Sequence, residues 1–183
     1  MNNIEKLKEI LTSNNITESI NSNMDFLLKI IPELKDMIGF NHNNPNHHLN
    51  VFDHTILALE KSENNFDARL ILLLHDIGKP HSYQEGKDGV RHFKDHALKS
   101  VEISKEILKR LGFNEDYIKK ILYIIKNHDI RINPKKVNKE NYKLEKLRLT
   151  VQYADAKAHT PDRVNKWVKE IDEINELMKS SIM

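Results

Sequence analysis

Apolar residues in this chain recur at intervals of three and four, and rarely at every second position, so the pattern predicts helices throughout. Ile4, Leu7, Ile10 and Leu11 share one face of a short helix over residues 3–11. Thr17 is placed to cap a helix running to Ile31, where Pro32 interrupts it. PELKDMIG predicts a short helix with proline in its first turn and Gly39 just past its end. After the polar loop FNHNNPNHHLN, a helix over about 51–63 puts Phe52, Ile56 and Leu59 on its apolar side. DARLILLLHDI is apolar nearly all round and marks a buried central helix over about 66–77, ended by Gly78. Residues 78–94 read as a long loop, of the kind that often carries function. Further helices are predicted at about 95–111 and 114–128, split by Gly112 with Asn114 as a cap. Two more follow at about 141–158 and from Thr160-Pro161 to about 179, the last carrying Trp167 and capping the bundle.

Composition agrees with an all-α, single-domain helical bundle. The 183 residues suffice for one real core, with 39% hydrophobic and 31% charged residues and only five Gly and five Pro. A formal charge of +2, from 29 basic and 27 acidic side chains, neither demands nor excludes nucleic acid. The absence of cysteine rules out disulfides and thiolate metal sites. MNNIEKLKEI is not a signal peptide, and no apolar run approaches the roughly 18 residues of a membrane span. A cytoplasmic protein without membrane contact is expected.

The ten histidines are the outlying count. His75-Asp76 closes the most apolar run, where an adjacent imidazole and carboxylate are costly to bury unless something occupies them. Together they suit a borderline divalent cation. His54 on the preceding helix and Asp155 in QYADAKA complete an N2O2 set, open to water or substrate; the competing reading is a buried ion-paired network. His96 and His128 stand at helix–loop junctions. With Asp76 bridging, they are candidates for a second ion about 3.5–4 Å from the first. Asp129 repeats the His-Asp dipeptide but is expected to be exposed or to stand behind the ligands. Lys79, next in HDIGK, is a candidate to neutralise a phosphate oxygen. Arg91 and Arg148 are candidates for the same task, against the ordinary reading of a solvated arginine. His42, His48 and His81 are expected to be solvated loop residues.

These residues resemble the HD-domain superfamily of metal-dependent phosphohydrolases, with its H…HD…D pattern. IPELKDMIGFNHNNPNHHLNVFDHTILALE, HDIGKP, RHFKDHALKSVEISKEILKRL and ADAKAH are similar to the HD region of bacterial tRNA nucleotidyltransferases and poly(A) polymerase relatives, over roughly residues 30–160. The resemblance implies N-terminal helices over 1–40, an HD domain over 41–160 and a C-terminal helix over 161–183, packed as one unit. It implies one or two divalent metal ions (Mn, Mg, Fe, Ni, Co or Zn) on His54, His75, Asp76 and Asp155. Asp76 and Lys79 would then be the catalytic pair. By motif position His96, three residues after Phe93, and His128 match further family histidines, and His47 falls where a pocket-lining histidine is common. The family often has Gln where His42 stands.

Family members act on 2′,3′-cyclic nucleotides, 2′-nucleotides and small phosphomonoesters. The leading expectation is therefore a phosphodiesterase or phosphomonoesterase acting on a nucleotide or another small phosphate ester through an activated water. Alternatives are a dinucleoside polyphosphate or alarmone hydrolase, a non-catalytic nucleotide-binding module, and an accessory that docks tRNA. The first forty residues hold no Gly-Ser signature with a D-x-D pair, so CCA addition is not expected.

Overall fold

The computed structural model describes residues 2–45 and 49–180, with backbone alone for residues 162 and 163. Among these, nine α-helices, three short 3₁₀ helices and one hairpin of two-residue strands account for the regular structure, an all-α arrangement. Helix α1 (Asn3–Leu11) starts with a reciprocal cap, in which Asn2 and Glu5 exchange side-chain and backbone hydrogen bonds of 2.8 and 2.9 Å. It buries Leu7, Ile10 and Leu11, as its periodicity predicts.

The single helix expected from Thr17 to Ile31 is instead two, α2 (Ile16–Ser22) and α3 (Met24–Ile30). Asn23 lies between them with φ −117° and ψ 19°, and its amide donates to the Ser19 carbonyl at 2.8 Å. A short polar side chain competes with the helix ladder for its carbonyls, and here it ends the helix. The cap of α2 is Asn15 rather than Thr17. PELKDMIG forms a 3₁₀ turn over Pro32–Asp36, and Gly39 adopts φ +73°.

Helices α4 (Val51–Lys61) and α5 (Phe66–Leu74) open on Asn50 and Asn65, whose side chains accept from backbone N–H groups three residues on. Every residue of α5 from Ala68 to Leu74 is buried, and the helix lies against α1, α4, α7 and α8. It stops before His75, three residues earlier than expected. Gly78 does not stop it by a left-handed turn. A Cβ at Gly78 would lie 2.4 Å from the Ser100 nitrogen and 2.5 Å from the His96 carbonyl oxygen. The glycine is needed because the turn after α5 presses directly on the first turn of α6 (His96–Leu111), where Gly78 N–H donates to Ser100 Oγ at 2.9 Å.

The 78–94 loop contains an antiparallel pair, β1 (Gln84–Glu85) and β2 (Arg91–His92), closed by Gly89 at φ +76°. Strands of two residues are too short to leave an alternating signal. Helix α7 (Glu115–Lys126), capped by Asn114, packs on α6 after Gly112 at φ +89°. Helix α8 (Tyr142–Lys157) crosses α4 and α5 and buries Val151, Ala154 and Asp155. The last helix, α9 (Pro161–Ser180), lies along α8. There Ile132, Val137, Leu149, Ile174 and Met178 make a small satellite core beside the main one. No helix among the described residues is long and apolar enough to cross a membrane.

Candidate metal centre

Five helix ends or turns meet at one depth. His54 projects from α4, His75 and Asp76 from the turn after α5, His96 from the start of α6, His128 from the turn after α7, and Asp155 from α8. His54 Nε2 lies 2.8 Å from Asp155 Oδ1, and His75 Nε2 lies 3.4 Å from the same oxygen and 3.3 Å from Asp76 Oδ2. Asp76 Oδ1 faces the other way, 3.4 Å from His96 Nε2 and 3.8 Å from His128 Nε2. The two oxygens of one carboxylate thus address two separate sets of imidazoles.

The rings are aimed by local backbone. Nδ1–H of His75 donates to the Leu72 carbonyl at 2.7 Å, that of His96 to Phe93 at 2.8 Å, and that of His128 to Ile125 at 2.7 Å, each three residues back. Nδ1 of His54 faces the Ala158 carbonyl at 3.2 Å. A carbonyl only accepts, so the rings of His75, His96 and His128 carry a proton on Nδ1 and, when neutral, turn a bare Nε2 lone pair inward, whereas His54 Nε2 is hydrogen-bonded to Asp155 Oδ1 at 2.8 Å. This is the second-sphere arrangement that metal-binding histidines use.

The inward atoms are poorly satisfied by one another. His75 Nε2 and both Asp76 oxygens are buried without a hydrogen-bond partner. Lys79 Nζ lies 2.7 Å from Asp76 Oδ2, an ion pair that offsets part of the carboxylate's charge. Buried polar atoms in native proteins are almost always paired. Three overlapping triads place one ligand atom each within 4.8 Å of the others: His54–His75–Asp155, His75–Asp76–His128 and His96–His128–Asp129. Nitrogen and carboxylate donors converging at this spacing fit a borderline divalent ion.

Charges in the cluster respond to one another. Burial pushes the His75 imidazole down, but Asp76 and Asp155 outweigh it and hold the ring protonated well above its ordinary range. Burial raises the carboxyls of Asp76 and Asp155, and the neighbouring cationic groups pull both well below the usual carboxylate range. His96 is raised against burial by Asp129 and Asp76, whereas burial leaves His128 lowered.

Not every residue singled out from the sequence arrives here. Arg148 is buried on α8 beside Glu145, with Nε 3.3 Å from Glu145 Oε2 and Nη2 donating to the Ile130 carbonyl, away from the cluster. Arg91 lies over the rings of Phe40 and Tyr83 and donates to the Asn41 carbonyl at 2.7 Å, pinning the 40–44 loop. His47 and His48 fall outside the described residues. His81 is exposed and pairs with Asp36 at 3.2 Å.

Other residues enter that the sequence did not put forward as part of the site. His42, expected in solvent, is fully buried. Its Nδ1–H donates to Leu49 at 2.8 Å, and its Nε2 faces Lys79 Nζ at 3.2 Å. Asp129 is 51% exposed, as expected, yet lies 3.2 Å from His96 and 3.4 Å from His128. His159, four residues after Asp155, donates from Nδ1 to the Asp155 carbonyl at 2.9 Å and packs between His54 and Trp167. The four-residue spacing was a usable signal for His159, because i and i+4 share a helix face. His42 had none, since only a tertiary contact brings its loop in.

The family model that matches the chain is described as HD domain and covers residues 46–174. The A-adding tRNA nucleotidyltransferase of Deinococcus radiodurans is 33% identical over 108 residues, which are 56% of this chain and 25% of that protein. The CC-adding tRNA nucleotidyltransferase of Thermus thermophilus is 30% identical over 108 residues, with the same shares. The chain thus spans about a quarter of the length of these relatives. The matched span contains His54, the His75-Asp76 pair and Asp155 together. This chain belongs to the HD domain family, a superfamily of metal-dependent phosphohydrolases whose domains bind divalent ions.

Proposed function

We propose that the chain hydrolyses phosphate esters of nucleotides or related small molecules, with Asp76 and Lys79 at the reacting phosphate. The observation that carries this reading is the Asp76 carboxylate, buried without a hydrogen-bond donor while its two oxygens face two imidazole sets. His54, His75, Asp155 and Asp76 Oδ2 would hold one ion; His96, His128, Asp129 and Asp76 Oδ1 would hold a second. Bound there, a divalent ion supplies Lewis-acid charge and brings the pKa of water towards neutrality.

The chain's own groups do the positioning. Lys79 is 6% exposed and lines the cavity over the cluster, where its ammonium offsets charge on a phosphoryl oxygen. His42 steadies it from behind. Burial and the Lys79 charge push the His42 imidazole down to about 3, so it stays a neutral acceptor for the ammonium. Phe93, whose ring centroid is 5.6 Å from Lys79 Nζ, shields the same wall from water.

Elemental analysis of protein purified without chelators tests the ion. p-Nitrophenyl phosphate, bis(p-nitrophenyl) phosphate and 2′,3′-cyclic nucleotides, with Mg, Mn, Ni or Co added, test the chemistry. His75→Ala and Asp76→Ala should each lose metal and turnover while keeping helical circular dichroism. Full activity in both variants would sink the reading.

A second reading, that the ester is an RNA end, is favoured by the names of the two tRNA-acting relatives. Lys61, Lys146 and Lys157 also line one cleft of about 450 Å³ together with Glu63 and Asp172, and none of the three lysines is ion-paired with a described carboxylate. Binding of tRNA that weakens steeply with salt would support it. Binding absent at low salt would remove it.

A further inference from the structure

Glu145, Arg148, Gln152 and Asp155 follow one another on α8 at spacings of three and four, which puts them on one stripe of that helix. Asp155 reaches the ligand cluster. The other three face the turn after α7. Tyr123 of α7 donates its hydroxyl to Glu145 Oε1, and Glu145 Oε2 lies 3.3 Å from Arg148 Nε. Arg148 Nη2 in turn donates to the Ile130 carbonyl at 3.3 Å. Arg148 is therefore a fastener between helices rather than a receptor for an anion.

Gln152 makes the closer contact. Its Nε2 donates to the carbonyls of His128 and Ile130, both at 2.8 Å, and lies 3.5 Å from that of Asn127. All three partners are carbonyls, which only accept, so they fix which end of the amide points at the turn. The two short bonds straddle Asp129. The turn also closes on itself, with Ile130 N–H donating to the Asn127 carbonyl at 3.1 Å. That bond sets its curl but not its distance from α8.

Distance is what the second set of ligands needs. His128 Nε2 lies 3.8 Å from Asp76 Oδ1, and the Asp129 carboxylate lies 3.4 Å from His128 Nε2 and 3.2 Å from His96 Nε2. A working constellation has to be held to within about 0.5 Å by the groups behind it. Asp129 is exposed and stands on a turn, so its backbone must be tied down from elsewhere. His54 and Asp155, by contrast, stand within α4 and α8, and the ring of His75 is bonded to Leu72.

Resting on the two-ion reading above, we propose that Gln152 is a positioning residue for the second ion. By straddling Asp129 it sets how far the His128–Asp129 pair stands from Asp76 Oδ1, and Arg148 secures the same turn beside it. The first set does not depend on these bonds. One stripe of α8 thus supplies a ligand to one ion and the mooring for the other.

Manganese is the probe, because two Mn(II) ions sharing a carboxylate are magnetically coupled and a lone one is not. Equilibrium dialysis of the full chain against Mn(II) should give two ions per chain, with a coupled electron paramagnetic resonance spectrum. Gln152→Met keeps the length of the side chain and removes the donor. It should weaken the second ion about 10- to 100-fold and leave the first unchanged, so that the spectrum becomes that of a lone ion. Gln152→Leu, also without a donor, should show the same split. A residue that only packs would lower the melting temperature without moving the ratio of the two affinities.

Wild-type affinities for both ions in the two variants would overturn the proposal, as would equal weakening of both. A wild type that takes one ion would overturn it too, while leaving the ion on His54, His75 and Asp155 standing. A wild type that takes none would remove both readings. If neither variant folds, Gln152 serves the fold as a whole and the proposal falls.

Discussion

Arg69 and Asp76 are charges buried seven residues apart around helix α5, and their surroundings are opposite. Arg69, 4% exposed, donates from Nη1 to the carbonyls of Leu11 and Ser13 at 2.8 Å and to Asn64 Oδ1 at 3.2 Å, and from Nε to Ser62 Oγ at 3.2 Å. Asp76, 1% exposed, has cationic groups around it and no hydrogen-bond donor. The first charge is fully answered by the chain and ties the N-terminal helices to the centre. The second is answered only in part, and that shortfall marks where something from outside the chain belongs.

The sharpest way to break this contrast is to remove each charge in turn. Asp76→Ala should lower metal affinity by more than about 100-fold, because even groups behind the ligands are worth roughly 10–100-fold. Elemental analysis and turnover would show it, while circular dichroism stays helical. Arg69→Met should do the opposite: metal content is kept and stability falls. Orphaned carbonyls cost about 1–3 kcal/mol each, and each kcal/mol lowers the melting temperature of a domain this size by roughly 2–4 °C. Loss of metal in Arg69→Met at temperatures where it is folded would erase the distinction.

A smaller effect concerns protons. His75 and His96 are raised in the metal-free cluster, so both hold protons that an incoming ion must displace. Affinity for the ion should therefore keep rising with pH above the ordinary histidine range, and fall as pH drops. Calorimetry in two buffers of different ionisation enthalpy should register net proton release on loading. Release of none would mean the rings are already neutral.

The smallest expected change is at His42. His42→Leu removes the acceptor behind Lys79 and should lower turnover about tenfold, and His42→Gln should recover much of it, with metal content unchanged in both. Equal loss in the two variants would assign His42 to packing alone.

Helix periodicity, the Asn114 cap and the apolar run of α5 were legible because each is a local signal, whereas the cap expected at Thr17 falls on Asn15. His54 and Asp155 were legible as candidates because the His-Asp pair needed partners and the family resemblance supplied their positions. Contacts that depend on tertiary approach were not. Gly78 reads as a helix stop from its position, whereas its role is the close packing against Ser100 and His96. Arg148 lies seven residues before Asp155 and so on a similar face, about 10 Å along the helix axis. Glu145, one turn away, holds it there. The histidine-rich loop gave no hint that His42 goes inside, where Lys79 and Leu49 receive its two ring nitrogens and His54 and Phe93 pack against it.

The imidazoles of His75, His96 and His128 each hang from a carbonyl of the helical turn or loop immediately before them. Their aim is thus independent of the residues that wall the space above. Phe93, Trp167 and the α9 side chains can change without disturbing how those three rings point. A fold built this way lets the wall above be edited without moving the three rings beneath it.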